Sequence, residues 1–246
     1  MPLKIFVNSR YPDIAPLAQT IANDGIPAEA VDIYNRRNRV ARFAYGGMDI
    51  CIKQFRVPHL LNRIVYGKLR HSKARRAYEN ALTLHENGIN TPEPLAYIEE
   101  RSGGMLRRSY YLCRHIEGYS DLRDIEKTAG HDEIILATGQ LLAELHHKGI
   151  WMKDFSAGNI LWKRREDGSL RLALVDINRM AFGVHSRKKL NTNFRTITAN
   201  PVVLQDIAAA YSHYSGADPD PVLETARCER RKYLRMQRIK SILRRH

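Results

Sequence analysis

The apolar residues of this chain change their spacing once, near residues 115–120, and that change limits the fold more than any other feature. Ahead of it the apolar runs are short and alternating. AEAVDIYN (28–35) and NRVARFAY (38–45) set Val and aromatic residues against polar neighbours, the period of two that suits half-buried strands. Gly46-Gly47 turns the chain into a third strand, DICIKQF (49–55), so the three read as an antiparallel meander. From Pro58 the pattern becomes helical. A helix predicted from Ser72 carries Ala74, Ala77, Tyr78, Ala81 and Leu84 or His85 on one face and ends at Gly88. Two more strands follow, near 94–99 and 108–115, parted by Ser102-Gly103-Gly104.

Beyond Gly118 the period lengthens. Ile134, Ile135, Thr138, Leu141, Leu142 and Leu145 mark a long helix that stops near Gly149. The loop WMKDFSAGN then leads into a hairpin, ILWKR and LRLALVD around the turn EDGS. From about residue 186 the chain is helical or irregular and ends in a basic helix. The expected fold is α+β, two-lobed and protein-kinase-like. Residues 1–117 form an antiparallel-sheet lobe with one main helix, and residues 118–246 a mostly helical lobe. The first 27 residues are expected to pack outside the small lobe.

A length of 246 residues suffices for one large domain or two small lobes. With 43% apolar and 27% charged residues, a disordered or fibrous chain is excluded. No window reaches the roughly 18–20 apolar residues of a membrane-spanning helix. The N-terminal apolar run breaks at Asn8-Ser9-Arg10 before an export signal could form. Cys51, Cys113 and Cys228 are odd in number and form no CxxC, which argues against a disulfide framework or a zinc site and fits a reducing cytoplasm. Forty Lys and Arg against 26 Asp and Glu leave +14, so an acidic partner is expected: nucleic acid, anionic lipid or a phosphorylated small molecule. No RRM, KH, zinc-finger or helix-turn-helix signature is present, so a nucleic-acid partner is not expected.

Lys53 lies mid-strand among Ile50, Ile52 and Phe55, where an ammonium must snorkel or neutralise an anion. Glu79 lies on the following helix. Asp154 and Asn159 stand five apart in the loop after the long helix, and Asp176 ends the strand LRLALV. Singly, each has an ordinary explanation: an edge-strand lysine, a surface helix charge, a loop cap, a turn residue, an Asx turn. Jointly, their order and element types are those of a phosphotransferase of the protein-kinase kind. Lys53 would neutralise phosphates, Glu79 would hold its rotamer, Asp154 would orient the attacking hydroxyl, and Asn159 and Asp176 would ligate Mg²⁺.

The chain resembles the lipopolysaccharide core kinases, the Kdo/WaaP group of kinase-like sugar phosphotransferases. The resemblance runs from about Ile33 to Met180. It rests on R37-N38-R39-V40, I52-K53-Q54-F55, the stretch from Arg70 to Ala81, T91-P92 with Pro94, D154-F-S-A-G-N159-I-L and D176-I-N-R179. It implies ATP- and Mg²⁺-dependent phosphorylation of a Kdo or heptose hydroxyl at the cytoplasmic face of the inner membrane, with a lipopolysaccharide core or lipid A acceptor. The adenine would hang on the connector at His115, Ile116 and Glu117. Phosphate contacts at the first turn, which lacks GxGxxG, would come from Asn38 and its arginines. The last turns, Arg227 to His246, hold nine Lys or Arg and one Glu, with Tyr233, Met236, Ile239 and Leu243 near one face. Such a basic amphipathic helix is expected either to touch the membrane surface or to pack on the large lobe. Met152-Lys153 before Asp154 and Ile177-Asn178 after Asp176 depart from the His-Arg and Phe-Gly of protein kinases, which favours a small-molecule or glycolipid kinase. A catalytically inactive scaffold and a basic nucleic-acid-binding protein stay open as alternatives.

Overall fold

The structure is a computed structural model that describes residues 3–56, 71–103, 105–123, 125–128 and 130–243. The helical start expected from Pro58 lies, up to residue 70, outside the described residues. The chain divides into two compact units, Met1–Glu117 and Gly118–His246.

The first unit is built on a six-stranded antiparallel sheet. Its strands are β1 (Leu3–Val7), β2 (Val31–Asn35), β3 (Arg39–Tyr45), β4 (Met48–Gln54), β5 (Pro94–Ser102) and β6 (Met105–Arg114). They lie in the order β1-β5-β6-β4-β3-β2. β3 and β4 are joined by Gly46 and Gly47, whose φ values of 56° and 73° give the two-residue turn that matches strand twist. Alternation divides β4 into two sets. Ile50 and Ile52 are fully buried against α1 (Ala15–Asp24), in a cluster with Ile14, Leu17, Ile21 and Leu112. On the opposite face Phe55, Tyr97, Tyr111 and Cys113 pack against Ala74, Ala77 and Tyr78 of α2 (Lys73–Glu86). Ser72 caps α2 by accepting from the Arg75 backbone N–H at 3.0 Å.

The N-terminal residues do not pack outside this unit. β1 pairs with β5 from Leu3↔Glu100 to Val7↔Ala96, and α1 supplies one wall of the core. The reason lies in the spacing of Leu17, Ala18, Ile21 and Ala22, one helical face whose burial contributes about 1.5–3 kcal/mol for each large side chain. β2, by contrast, begins later than expected and is exposed along its whole length at the sheet edge.

The second unit packs α3 (His131–His147) on α5 (Pro201–Ser215), with a short α4 (Arg187–Leu190) and a long terminal α6 (Pro219–Leu243). α3 and α5 approach closely at Gly139, where a Cβ would stand 2.4 Å from the Ala210 Cβ. β9 (Ile160–Arg164) and β10 (Leu170–Leu174) form the expected hairpin, with β7 (Ser120–Asp121) beside β9. A two-residue pair, β8 (Trp151–Met152) with β11 (Met180–Ala181), closes off the segment that contains the loop after β8 and the hairpin.

Candidate active site

In the first unit the pleat decides where Lys53 points. It lies opposite Val40 of β3 and Tyr111 of β6, so β4 is an interior strand and an edge-strand role for this lysine is excluded. Its Nζ stands 5.2 Å from the centre of the Phe55 ring, and Lys73 Nζ approaches the same ring at 6.0 Å. The Glu79 carboxylate accepts from Arg75 Nε at 2.6 Å and meets His71 Nδ1 at 3.0 Å. Burial pushes this carboxyl up, but the hydrogen bonds from Arg75 and His71 outweigh it and hold it below its ordinary range.

After β6, the His115 N–H donates to the Asp49 carbonyl at 2.8 Å, fixing the start of the connector. Ile116 is half-buried, and Glu117 is exposed with Arg42 Nη2 at 3.6 Å. At the β2–β3 turn, the Asn38 Oδ1 accepts from the Arg56 N–H at 3.2 Å, which ties the turn to the end of β4. Its amide nitrogen is the end chemically suited to an anion. Around Asn38 lies a concavity of about 340 Å³ lined by Arg36, Arg37, Arg39, Arg56, Arg107 and Arg108. Asp32 pairs with Arg39 at 2.7 Å and Glu100 pairs with Arg108, so two of the six are partly neutralised.

In the second unit a set of backbone and side-chain hydrogen bonds gathers three of the expected residues. Fully buried Phe155, next to Asp154, and Ile160, next to Asn159, anchor the loop. Asn159 Nδ2 donates to the Asp154 carbonyl at 2.8 Å, closing the six-residue bend. The Asn159 carbonyl accepts from the Val175 N–H at 3.0 Å, which sets Asn159 beside the residue that precedes Asp176. Asp176 has φ 56°, a left-handed conformation otherwise taken only by glycines among the described residues. Holding it there costs on the order of 1–3 kcal/mol. Asn178, buried, donates from Nδ2 to Asp176 Oδ1 at 2.6 Å. The Asp154 carboxylate meets Arg179 Nη1 at 3.1 Å, and the Lys153 N–H donates to the Arg179 carbonyl at 2.9 Å.

A further chain of polar groups holds the loop from behind. His146 Nδ1 lies 3.1 Å from the Tyr211 hydroxyl and Nε2 lies 3.2 Å from Asn193 Oδ1, while Asn193 Nδ2 donates to the Met152 carbonyl. Burial lowers the His146 pKa to about 4, so the imidazole is neutral near pH 7. An amide oxygen only accepts, so Nε2 carries the hydrogen and Nδ1 accepts from Tyr211. Sequence reasoning missed His146 and Asn193 as a pair, since 47 residues separate them. Arg179 and Asn178 sit within D176-I-N-R179, where their neighbourhood to Asp176 was the available signal.

No group of three or more His, Cys, Asp or Glu gathers as a metal cage among the described residues. Asn159 and Asp176 form a different kind of donor set. Asn159 spends an amide hydrogen on the Asp154 carbonyl, so its oxygen is the end left to face a cation. One amide oxygen and one carboxylate fit Mg²⁺, which takes few protein ligands and fills its octahedron with phosphate oxygens and water.

A profile of the lipopolysaccharide kinase (Kdo/WaaP) family matches residues 27–214. The chain belongs to that family. It is 30% identical over 132 residues to a 3-deoxy-D-manno-octulosonic acid kinase of Pasteurella multocida (strain Pm70). That match covers 52% of this chain and 55% of the relative, so the chain spans about half the length of the curated relative it matches. A solved structure described as WaaP in complex with acyl carrier protein superposes with a TM-score of 0.64 at 15% identity, covering 94% of this chain and 98% of that one. The fold is thus the α+β, protein-kinase-like fold expected, with an antiparallel sheet in one unit and mostly helices in the other. The family match leaves out β1 and α1 at one end and α6 at the other.

Proposed function

We propose that this member of the family is an ATP-dependent kinase that phosphorylates a hydroxyl of Kdo or heptose in the lipopolysaccharide inner core. The observation that carries the reading is that Asn159 is hydrogen-bonded to Asp154 and to Val175, the neighbour of Asp176, within the family match. Magnesium-bound ATP supplies the phosphoryl group and screens its charge. Phosphoryl transfer is mainly a matter of positioning and electrostatics, so the residues act as holders. Asp154 orients the acceptor hydroxyl and receives its proton, and Arg179 keeps that carboxylate in place. Asn159 and Asp176 hold Mg²⁺ through their side-chain oxygens. Lys53 neutralises the α- and β-phosphates, with Glu79 orienting it. Backbone groups of His115, Ile116 and Glu117 hold the adenine, and Asn38 meets a phosphate from the β2–β3 turn.

The acceptor is rich in phosphate and carboxylate, and the arginine-lined concavity around Asn38 has the chemistry to hold such groups. α6 supports a peripheral membrane contact. Its first half is moored by buried Ala226 and by Glu229, which pairs with Arg195 at 2.5 Å. From Leu234 to Leu243 every residue is exposed, with Met236, Ile239, Ile242 and Leu243 set among basic residues. Each such cation contributes about 1 kcal/mol at an anionic surface. No helix of the described residues is long and apolar enough to cross a membrane.

The experiment is incubation of the purified protein with Mg-ATP and defined inner-core glycolipids, read by mass spectrometry. A product heavier by one phosphate is expected. ATP binding with no transfer to any Kdo- or heptose-bearing acceptor overturns the reading in favour of a scaffold.

A further inference from the structure

Cys51 and Cys113 are direct partners across β4 and β6. On the same ladder the His115 N–H bonds the Asp49 carbonyl at 2.8 Å and the Phe55 N–H bonds the Ser109 carbonyl at 3.1 Å. Hydrogen-bonded and non-bonded pairs alternate, so 51↔113 is a bonded pair, in which opposed Cα atoms stand about 5.5 Å apart. That separation falls inside the roughly 4.4–6.8 Å that a disulfide spans. Alternation also places Cys51 on the face that carries Lys53 and Phe55, opposite to buried Ile50 and Ile52. Cys113 is buried and Cys51 half-buried, so a small solute meets Cys51 first.

The two thiols are also chemically unlike. A hydrogen bond with Cys113 holds the Cys51 thiol below its ordinary range despite the opposing effect of burial, and His115 and the Lys53 charge act in the same direction. The bond with Cys51 and burial push Cys113 up. An acidic, reachable thiol backed by a protonated one is the arrangement of an attacking and a resolving cysteine.

We propose that Cys51 and Cys113 form a thiol–disulfide exchange site whose substrate is a low-molecular-weight disulfide such as oxidised glutathione. The Cys51 thiolate attacks one sulfur of the small disulfide, giving a mixed disulfide and releasing one small thiolate. Cys113 then loses its proton to that thiolate, and its sulfur attacks the Cys51 sulfur. The S–S bond to the second small thiol breaks as the Cys51–Cys113 bond forms, and that small thiolate is protonated by water. Two protein thiols are oxidised and one small disulfide is reduced to two thiols. Opposed Cβ atoms in a sheet lie about 4.5–5.5 Å apart, beyond the roughly 3.8 Å of an average disulfide. Closure must therefore draw β4 and β6 together, which makes the bond strained and easily reduced. It also displaces Lys53, two residues along; this consequence rests on the phosphate-binding role given to Lys53 above.

The test treats the full chain with oxidised glutathione, blocks the remaining thiols and maps them by peptide mass analysis. A Cys51–Cys113 linked peptide that a reductant reverses is expected, together with a stalled glutathione adduct on Cys51 in Cys113→Ser and neither product in Cys51→Ser. Glutathione retained on Cys51 of the unaltered chain to the same extent as in Cys113→Ser overturns the proposal, as does reaction at Cys228 alone. ATP binding is measured before and after oxidation, and about tenfold weakening is expected on closure. A linked peptide with unchanged ATP affinity supports the exchange site and overturns its coupling to Lys53. Failure of the fully reduced protein to bind ATP instead counts against the kinase reading and leaves the thiol result to stand by itself.

Discussion

The two units place their polar residues by different means. In the sheet unit, Lys53, Cys51 and Cys113 are set by strand register, a property of the whole ladder. In the helical unit, Asp154 and Asn159 are set mainly by individual bonds from side chains to backbone carbonyls, with Asn193 and Thr196 as further ties, while Asp176 follows the Val175 N–H to Asn159 carbonyl bond and accepts from Asn178 on its carboxylate. A ladder survives the loss of any one side chain and fails when its core is emptied. A loop survives changes in distant packing and fails one hydrogen bond at a time.

Four changes break or sharpen that contrast. The largest effect is expected from Asp154→Asn, which keeps the shape of the side chain and removes its basicity. Turnover should fall by about 100- to 10,000-fold with the melting temperature nearly unchanged. Near-normal turnover on the true acceptor would remove Asp154 from the chemistry. Next is Ile21→Ala in the sheet unit, a fully buried side chain of α1. It should cost about 2–5 kcal/mol in denaturant unfolding. A loss below 1 kcal/mol would show that α1 is not part of the cooperative core.

The third is a dependence on acid. His146 has its pKa lowered from 6.5 to about 4 in the folded chain. The unfolded chain therefore binds the proton more readily, and the stability from the neutral imidazole is complete above pH 6.5 and lost progressively as pH falls to about 4. Chemical denaturation across that window should show a shallower loss in His146→Gln than in the unaltered chain; parallel curves would contradict the network. The smallest effect is expected from Ser72→Ala, which removes the cap of α2 and should cost about 0.5–2 kcal/mol. Unchanged stability would mean that the sheet alone fixes the start of α2.

Local features were legible where one segment contained both its pattern and its stop signal. The Gly46-Gly47 turn, α2 between Ser72 and Gly88, and the hairpin ending at Asp176 all carry their own punctuation. What escaped depends on partners distant in sequence. β1 is a strand because β5, about 90 residues later, offers it an edge. Lys53 taken alone fits an edge strand, and only the pairing of β4 with β6 makes that strand interior. Asn193 reaches the Met152 carbonyl from another element, and no spacing rule connects them. The Asp154–Asn159 spacing was readable because six residues of one loop hold both ends of the bond.

The backbone at Asp176 restricts which substitutions can occur there without harm to folding. At φ 56° a branched or bulky residue is penalised, whereas Asn and Gly adopt the conformation readily. A mutation to either would erase the negative charge yet leave the hairpin intact, so, given the metal-holding role proposed for Asp176, an inactive descendant could persist as a well-folded protein.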